Sequence, residues 1–122
     1  MPHLILEYST NVRETTKLGP LFSRLHTVLS EIAGIDVNNC KSRARPADDF
    51  FVAEGGEREA FVHLDIRFLD GRSAEVKKAV GAQSLEVLRT WFAESDSALA
   101  LQITVEIRDI DRRSYFKHTG KS

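Results

Sequence analysis

Apolar residues along the chain switch between two periods. Leu4-Ile5-Leu6 is a short continuous run, the pattern of a strand covered on both faces. After a polar, turn-like stretch over 9–17, Leu21, Phe22, Leu25, Leu29 and Ile32 recur at three- and four-residue steps. That spacing predicts an amphipathic helix with one apolar stripe. Gly19-Pro20 opens it, with Pro20 suited to a first helical turn, and Gly34 stops it. From Asn39 to about Val52 the pattern is extended but irregular, with Pro46 at a bend or a sheet edge. Glu54-Gly55-Gly56-Glu57 reads as a turn. Then Val62, Leu64, Ile66 and Phe68 alternate with His63, Asp65 and Arg67, predicting a strand with one buried face. Asp70-Gly71 ends it, and Ser73 is placed to cap a helix running to about Ala93. Val76, Val80, Val87, Leu88 and Trp91 lie near one face of that helix, interrupted by Gln83 and Ser84. A last strand is predicted where Leu99, Leu101, Ile103, Val105 and Ile107 alternate with polar residues. The charged tail from Asp109 is expected to pack only in part.

Strand, helix, strand therefore occurs twice, and each triple is long enough for a βαβ unit with parallel strands. Sliding the chain by 60 residues lays PHLILEYSTNVRE over VHLDIRFLDGRSA, with His3 on His63. This is a weak internal repeat. The expected fold class is α+β: a single domain over 1–122, with halves at about 2–58 and 59–117 and a short tail. Two βαβ units side by side give a four-stranded sheet with both helices on one face. The other face needs a cover that a chain this short cannot supply, so an oligomer is expected.

Composition narrows the choice of partner. Hydrophobic residues make up 42% and charged residues 29%, with a formal net charge of -1. Such a balance gives no reason to expect nucleic acid or an anionic membrane. No apolar run approaches the ~20 residues of a membrane span, and the N-terminus lacks the pattern of a signal peptide. Cys40 is the single cysteine, which excludes an internal disulfide and a cysteine-built metal site. A cytoplasmic address fits these features. His3, His26, His63 and His118 lack metal-ligand spacing, so no metal is expected, and His3 and His63 read as packing or hydrogen-bonding residues. There is no glycine-rich phosphate loop and no nucleophile elbow.

Three features could carry chemistry. Gly71-Arg72-Ser73 stands at a strand-to-helix junction, where backbone N–H groups attract anions and a guanidinium could grip a carboxylate. The alternative is an ordinary turn with a solvated arginine. Lys41-Ser42-Arg43-Ala44-Arg45 would line three cations along one face of a strand. That pattern suits a waiting anion, or an edge strand guarded against aggregation. Pro2 follows Met1 directly. Proline suits a strand's first residue. After loss of the methionine it would also be a secondary amine, which nearby cations and burial would keep unprotonated at neutral pH, and so able to act as a general base, by disfavouring its ammonium form.

Pro2 behind Met1, K-S-R-A at 41–44, A-F-V-H-L at 60–64, G-R-S at 71–73 and Y-F-K at 115–117 resemble the 5-carboxymethyl-2-hydroxymuconate isomerases of the tautomerase superfamily. The resemblance runs from Pro2 to about Lys117. The second half also looks like the single βαβ unit of 4-oxalocrotonate tautomerase. The resemblance implies a homotrimer with its sheets facing inward, and a cofactor-independent isomerase acting on an unsaturated polycarboxylate dienol from aromatic-ring breakdown, as in homoprotocatechuate degradation. It implies Pro2 as the catalytic base, Arg72 as the residue holding a carboxylate or the developing oxyanion, and Lys41 and Arg43 as further carboxylate ligands. Lys41 stands where the resemblance leads one to expect arginine, which keeps the charge but loses the planar fork. Val62 and Val12 replace proline and arginine in the shifted alignment, so one site per chain is expected. Two other functions remain open on this reading. One is a hydratase or decarboxylase of the same fold, and the other is a non-catalytic oligomer that binds a small carboxylate.

Overall fold

The computed structural model describes residues 1–120 and contains both βαβ units. The first comprises strand β1 (His3–Ser9), helix α1 (Gly19–Ala33) and strand β2 (Lys41–Ala47). The second comprises β3 (Glu59–Leu69), α2 (Ala74–Trp91), a short α3 (Ala93–Ala98) and β4 (Ala100–Ile110). The strands form one sheet in the order β2-β1-β3-β4. Within each unit the pair is parallel, and β1 meets β3 antiparallel across the middle.

Alternation sets the two faces of the sheet. Leu4, Leu6, Val62, Leu64, Ile66 and Phe68 are fully buried and join Leu21, Leu25, Leu29, Val80 and Leu88 of the helices in one core. The intervening residues, among them His3, Glu7, His63, Arg67 and Glu106, face away from the helices. Ile5 shares that second face, between Arg43 and Asp65 in the register, and is still only 7% exposed. Across the same face Asp65 pairs with Arg67 at 2.8 Å and Arg108 at 3.4 Å, and Glu106 pairs with His63 and Arg108.

Helix boundaries follow the local chemistry. Pro20 sits in the first turn of α1, and Gly34 ends it in the left-handed region at φ 66°, which glycine reaches without a steric penalty. Ser73 caps α2 by accepting a hydrogen bond from the Val76 N–H at 3.2 Å.

Several boundaries move from their expected places. The strand expected over 39–52 is confined to β2, where Pro46 lies opposite Tyr8 on an edge strand that can spare the missing N–H. The helix expected to reach Ala93 stops at Trp91, and α3 occupies the approach to β4. Leu99 therefore closes α3 and does not begin the strand. Ser84 does not interrupt the buried face of α2. It is 0% exposed on that face, small enough to be enclosed where a larger polar side chain would be driven out. At the far end, β4 runs on to Ile110 and the tail docks back on the sheet through Tyr115.

Candidate active site

Antiparallel pairing places the start of β1 against the end of β3, with His3 opposite Arg67. Pro2 thereby comes beside Phe68, and the two line a pocket of about 320 Å³ together with Gly34, Ile35, Asp36, Asn39, Leu69 and Arg72. Residues far apart in sequence thus converge on one end of the sheet. Pro2 is buried, and its carbonyl accepts from the Lys41 N–H at 3.0 Å, which ties the chain start to β2.

Arg72 enters this pocket because of the turn before it. Gly71 adopts φ 110°, a region closed to most side chains, and the chain bends so that the guanidinium lies over the Phe68 ring, 5.2 Å from its centroid. Its Nε donates to the Ala33 carbonyl at 3.4 Å and one terminal nitrogen to the Leu69 carbonyl at 3.3 Å. Ala33 ends α1, where carbonyls lack helical partners and a cation is favoured. Two of the five guanidinium N–H groups are used in this way, and the rest remain for a ligand.

The chain's first amine stands at the pocket mouth. It donates to the Asn39 carbonyl at 2.9 Å, and Lys41 Nζ donates to the same oxygen at 2.8 Å. Burial, contact with Lys41 and the charges of Lys41 and Lys117 push this amine from its ordinary 8.0 down to about 5. All these influences disfavour the ammonium form.

Of the four residues singled out from the sequence, Pro2 and Arg72 share the pocket, and Lys41 borders its mouth. Arg43 lies one step further along β2, on the open sheet face, with its guanidinium 3.1 Å from His3 Nδ1. Arg45 follows on the same face, opposite Glu7. Cys40 is half-buried, with burial raising its thiol pKa. Among the described residues no group of three or more His, Cys, Asp or Glu side chains could hold a metal ion, and no helix is long and apolar enough to cross a membrane. Sequence reasoning missed Phe68 as the pocket floor, Asn39 at its mouth and Lys117 beside it. Asn39 ends the Asp36-Val37-Asn38-Asn39 turn, in which the Asp36 carboxylate accepts from the Asn38 N–H at 2.9 Å. That Asx pattern was the available signal.

A family model described as 5-carboxymethyl-2-hydroxymuconate isomerase matches residues 2–120. The chain belongs to that family. It is therefore an isomerase with the tautomerase fold. The 5-carboxymethyl-2-hydroxymuconate Delta-isomerase of Escherichia coli is 30% identical to it over 120 residues, covering 98% of this chain and 95% of its own. A crystal structure of a 5-carboxymethyl-2-hydroxymuconate isomerase from Deinococcus radiodurans R1 superposes with a TM-score of 0.87 at 32% identity, covering 98% and 90% of the two chains. A fused 4-OT symmetric trimer shares the fold, with a TM-score of 0.72 at 16% identity over 98% of this chain and 94% of its own.

Proposed function

We propose that this isomerase is a cofactor-independent keto–enol tautomerase of 5-carboxymethyl-2-hydroxymuconate or a similar unsaturated polycarboxylate dienol, with Pro2 as general base after removal of Met1. The observation that carries this reading is the convergence of Pro2 and Arg72 on one pocket with Lys41 and Lys117 about its mouth, where burial and those lysines already hold the pKa of the Met1 amine at about 5. An amine so placed is neutral at pH 7 and offers a lone pair to a proton. Loss of Met1 would transfer that role to the Pro2 nitrogen, which lines the same pocket.

The reaction then needs no atom from outside. The Pro2 nitrogen takes the proton of the 2-hydroxyl, and the O–H electron pair forms the C2 carbonyl. The double bonds shift along the diene, and the proton is returned to its far carbon, giving the 2-oxo-3-ene isomer. Arg72 donates its unused N–H groups to the developing oxyanion or to the adjacent carboxylate. Lys41 and Arg43 hold further carboxylates. A triply charged substrate gives the local cations a purpose that the overall charge of -1 does not suggest.

The same reading has three copies closing around their open sheet faces in the cytoplasm. The fused 4-OT relative is described as a symmetric trimer, and the open face here carries a band of charged side chains outside the helix-covered core. Mass spectrometry of the untagged protein, coupled to loss of dienol absorbance, tests the central claim. Active protein should lack Met1, and Pro2→Ala should lose roughly 100-fold or more in kcat. Active protein that retains Met1, or an undiminished Pro2→Ala variant, would overturn it.

A further inference from the structure

We infer that Lys117, carried by the C-terminal segment, is a specificity-determining residue of this site that holds a substrate carboxylate next to the one bound by Lys41. The inference rests on the tautomerase reading and deepens it. Tyr115 anchors the segment: its hydroxyl lies 3.1 Å from His3 Nε2, and its ring meets the imidazole edge-on with centroids 6.1 Å apart. The other imidazole nitrogen faces the Arg43 guanidinium, which can only donate. His3 Nδ1 therefore accepts, and the proton sits on Nε2, pointing at Tyr115. Burial and the surrounding cations lower the pKa of His3 and so keep it in this neutral state.

Two residues beyond the anchor, Lys117 Nζ donates to Asn39 Oδ1 at 3.0 Å. The carbonyl of the same asparagine receives Lys41 Nζ and the chain's first amine. Two lysine ammonium groups thus gather on one neutral residue, and this pair persists when Met1 and its amine are removed. Among the described residues, none of Lys41, Lys117, Arg43 and Arg72 is paired with a carboxylate. A neutral amide does not offset the repulsion between these charges, whereas a bound anion would. The space for one is present. A groove of about 570 Å³ runs between the C-terminal segment and the Asn38–Asn39 turn, lined by Lys41, Tyr115 and Lys117, and it shares Asn39 with the Pro2 pocket. A substrate whose reacting end occupies the Pro2 pocket can lay a second carboxylate arm there.

Lys117 is exposed, so loss of its charge should cost the fold little. Simple tethering of the tail would need a hydrogen-bond donor, while a carboxylate subsite needs a positive charge within reach of substrate. Steady-state kinetics on 5-carboxymethyl-2-hydroxymuconate and on the enol of phenylpyruvate, a monocarboxylate, separate the two roles. In Lys117→Met the ratio of kcat/KM for the polycarboxylate to that for the monocarboxylate should fall roughly 10- to 100-fold, mainly through KM. Lys117→Arg should restore most of the ratio. A ratio within about twofold of wild type, or an arginine variant no better than methionine, would overturn the inference. Pro2→Ala measured alongside keeps the failures apart. If it destroys turnover of both substrates while the Lys117→Met ratio stays put, only the role of Lys117 falls. If it leaves turnover intact, the reading beneath it falls.

Discussion

The two βαβ halves are framed alike and diverge where strand meets helix. In the second half, Gly71-Arg72-Ser73 turns sharply, Ser73 caps α2, and Arg72 stays over Phe68 with open space before it. In the first half the equivalent stretch turns its central side chain inward. Val12, at the place of Arg72, is 3% exposed. The next residues knit to the end of the other half: the Arg13 N–H donates to Ser95 Oγ at 3.1 Å, and the Trp91 indole donates to the Glu14 carbonyl at 2.9 Å. The Glu14 carboxylate accepts from both the Ser95 N–H, at 2.9 Å, and the Ser95 hydroxyl. One half sets the cation of Arg72 at a pocket of about 320 Å³, and the other sets the carboxylate of Glu14 on Ser95 beside a smaller cavity of about 240 Å³. The shared frame survives because Leu4 and Leu64, Leu6 and Ile66, and Tyr8 and Phe68 keep one apolar register. The difference between the halves comes from a few loop residues set on that frame.

The sharpest way to break the contrast is to remove the floor of the open pocket. Phe68→Ala deletes a fully buried ring and should cost about 3–5 kcal/mol in chemical denaturation, while freeing Arg72 from the surface it lies on. A loss below about 1 kcal/mol would show that the ring does not support this end of the sheet.

Removing the first half's carboxylate is the next step. Glu14→Ala leaves the Ser95 N–H and hydroxyl without their acceptor in a residue only 2% exposed, at a cost of about 1–3 kcal/mol. The loss should depend on pH. Burial is the largest influence on the Glu14 carboxyl and pushes its pKa up, but the hydrogen bonds from Ser95 and neighbouring backbone together hold it below its ordinary 4.5. A carboxyl with a folded-state pKa depressed in this way stabilises the fold above its unfolded value and loses that contribution as pH falls through the folded one. The gap between wild type and Glu14→Ala should therefore be complete at about pH 6 and narrow below about pH 4.5. Denaturation midpoints at several pH values would check this, and a gap that widens in acid would contradict it.

The smallest effect belongs to the turn that keeps the pocket open. Ser73→Ala removes the cap of α2 and should cost about 1 kcal/mol. Leu18, at the N-cap position before α1, makes no side-chain cap, so no equivalent substitution exists in the first half. Thermal melting followed by far-ultraviolet circular dichroism would measure the difference, and an unchanged Tm would show that the Ser73 hydroxyl carries no weight.

Periodicity made the frame legible, since alternation in β3 and β4 and the three- and four-residue steps of α1 each report one buried face. Pro2 and Arg72 stood out because their residue types have specific uses at a chain start and at a strand-to-helix turn. That they meet was visible only through the resemblance, since nothing periodic fixes which strands pair antiparallel. Asn39 and Lys117 were harder still. Neither belongs to a repeating pattern, and each matters through a contact with the other across 78 positions of sequence. Ser84 shows the converse limit: polarity marked it as a break in the helix face, whereas its small size lets the sheet enclose it.

The antiparallel seam between β1 and β3 joins residues roughly 60 positions apart, and each flanking parallel pair must close a long loop through its own helix. Loop-closure entropy is lost before such pairings return their hydrogen bonds, so topologies of this kind fold slowly beside helical bundles of equal size. Pro2 and Asn39 stand on one side of the seam, Phe68 and Arg72 on the other. During folding the pocket is therefore absent until the seam closes, and a chain with both long helices already formed is still only a scaffold.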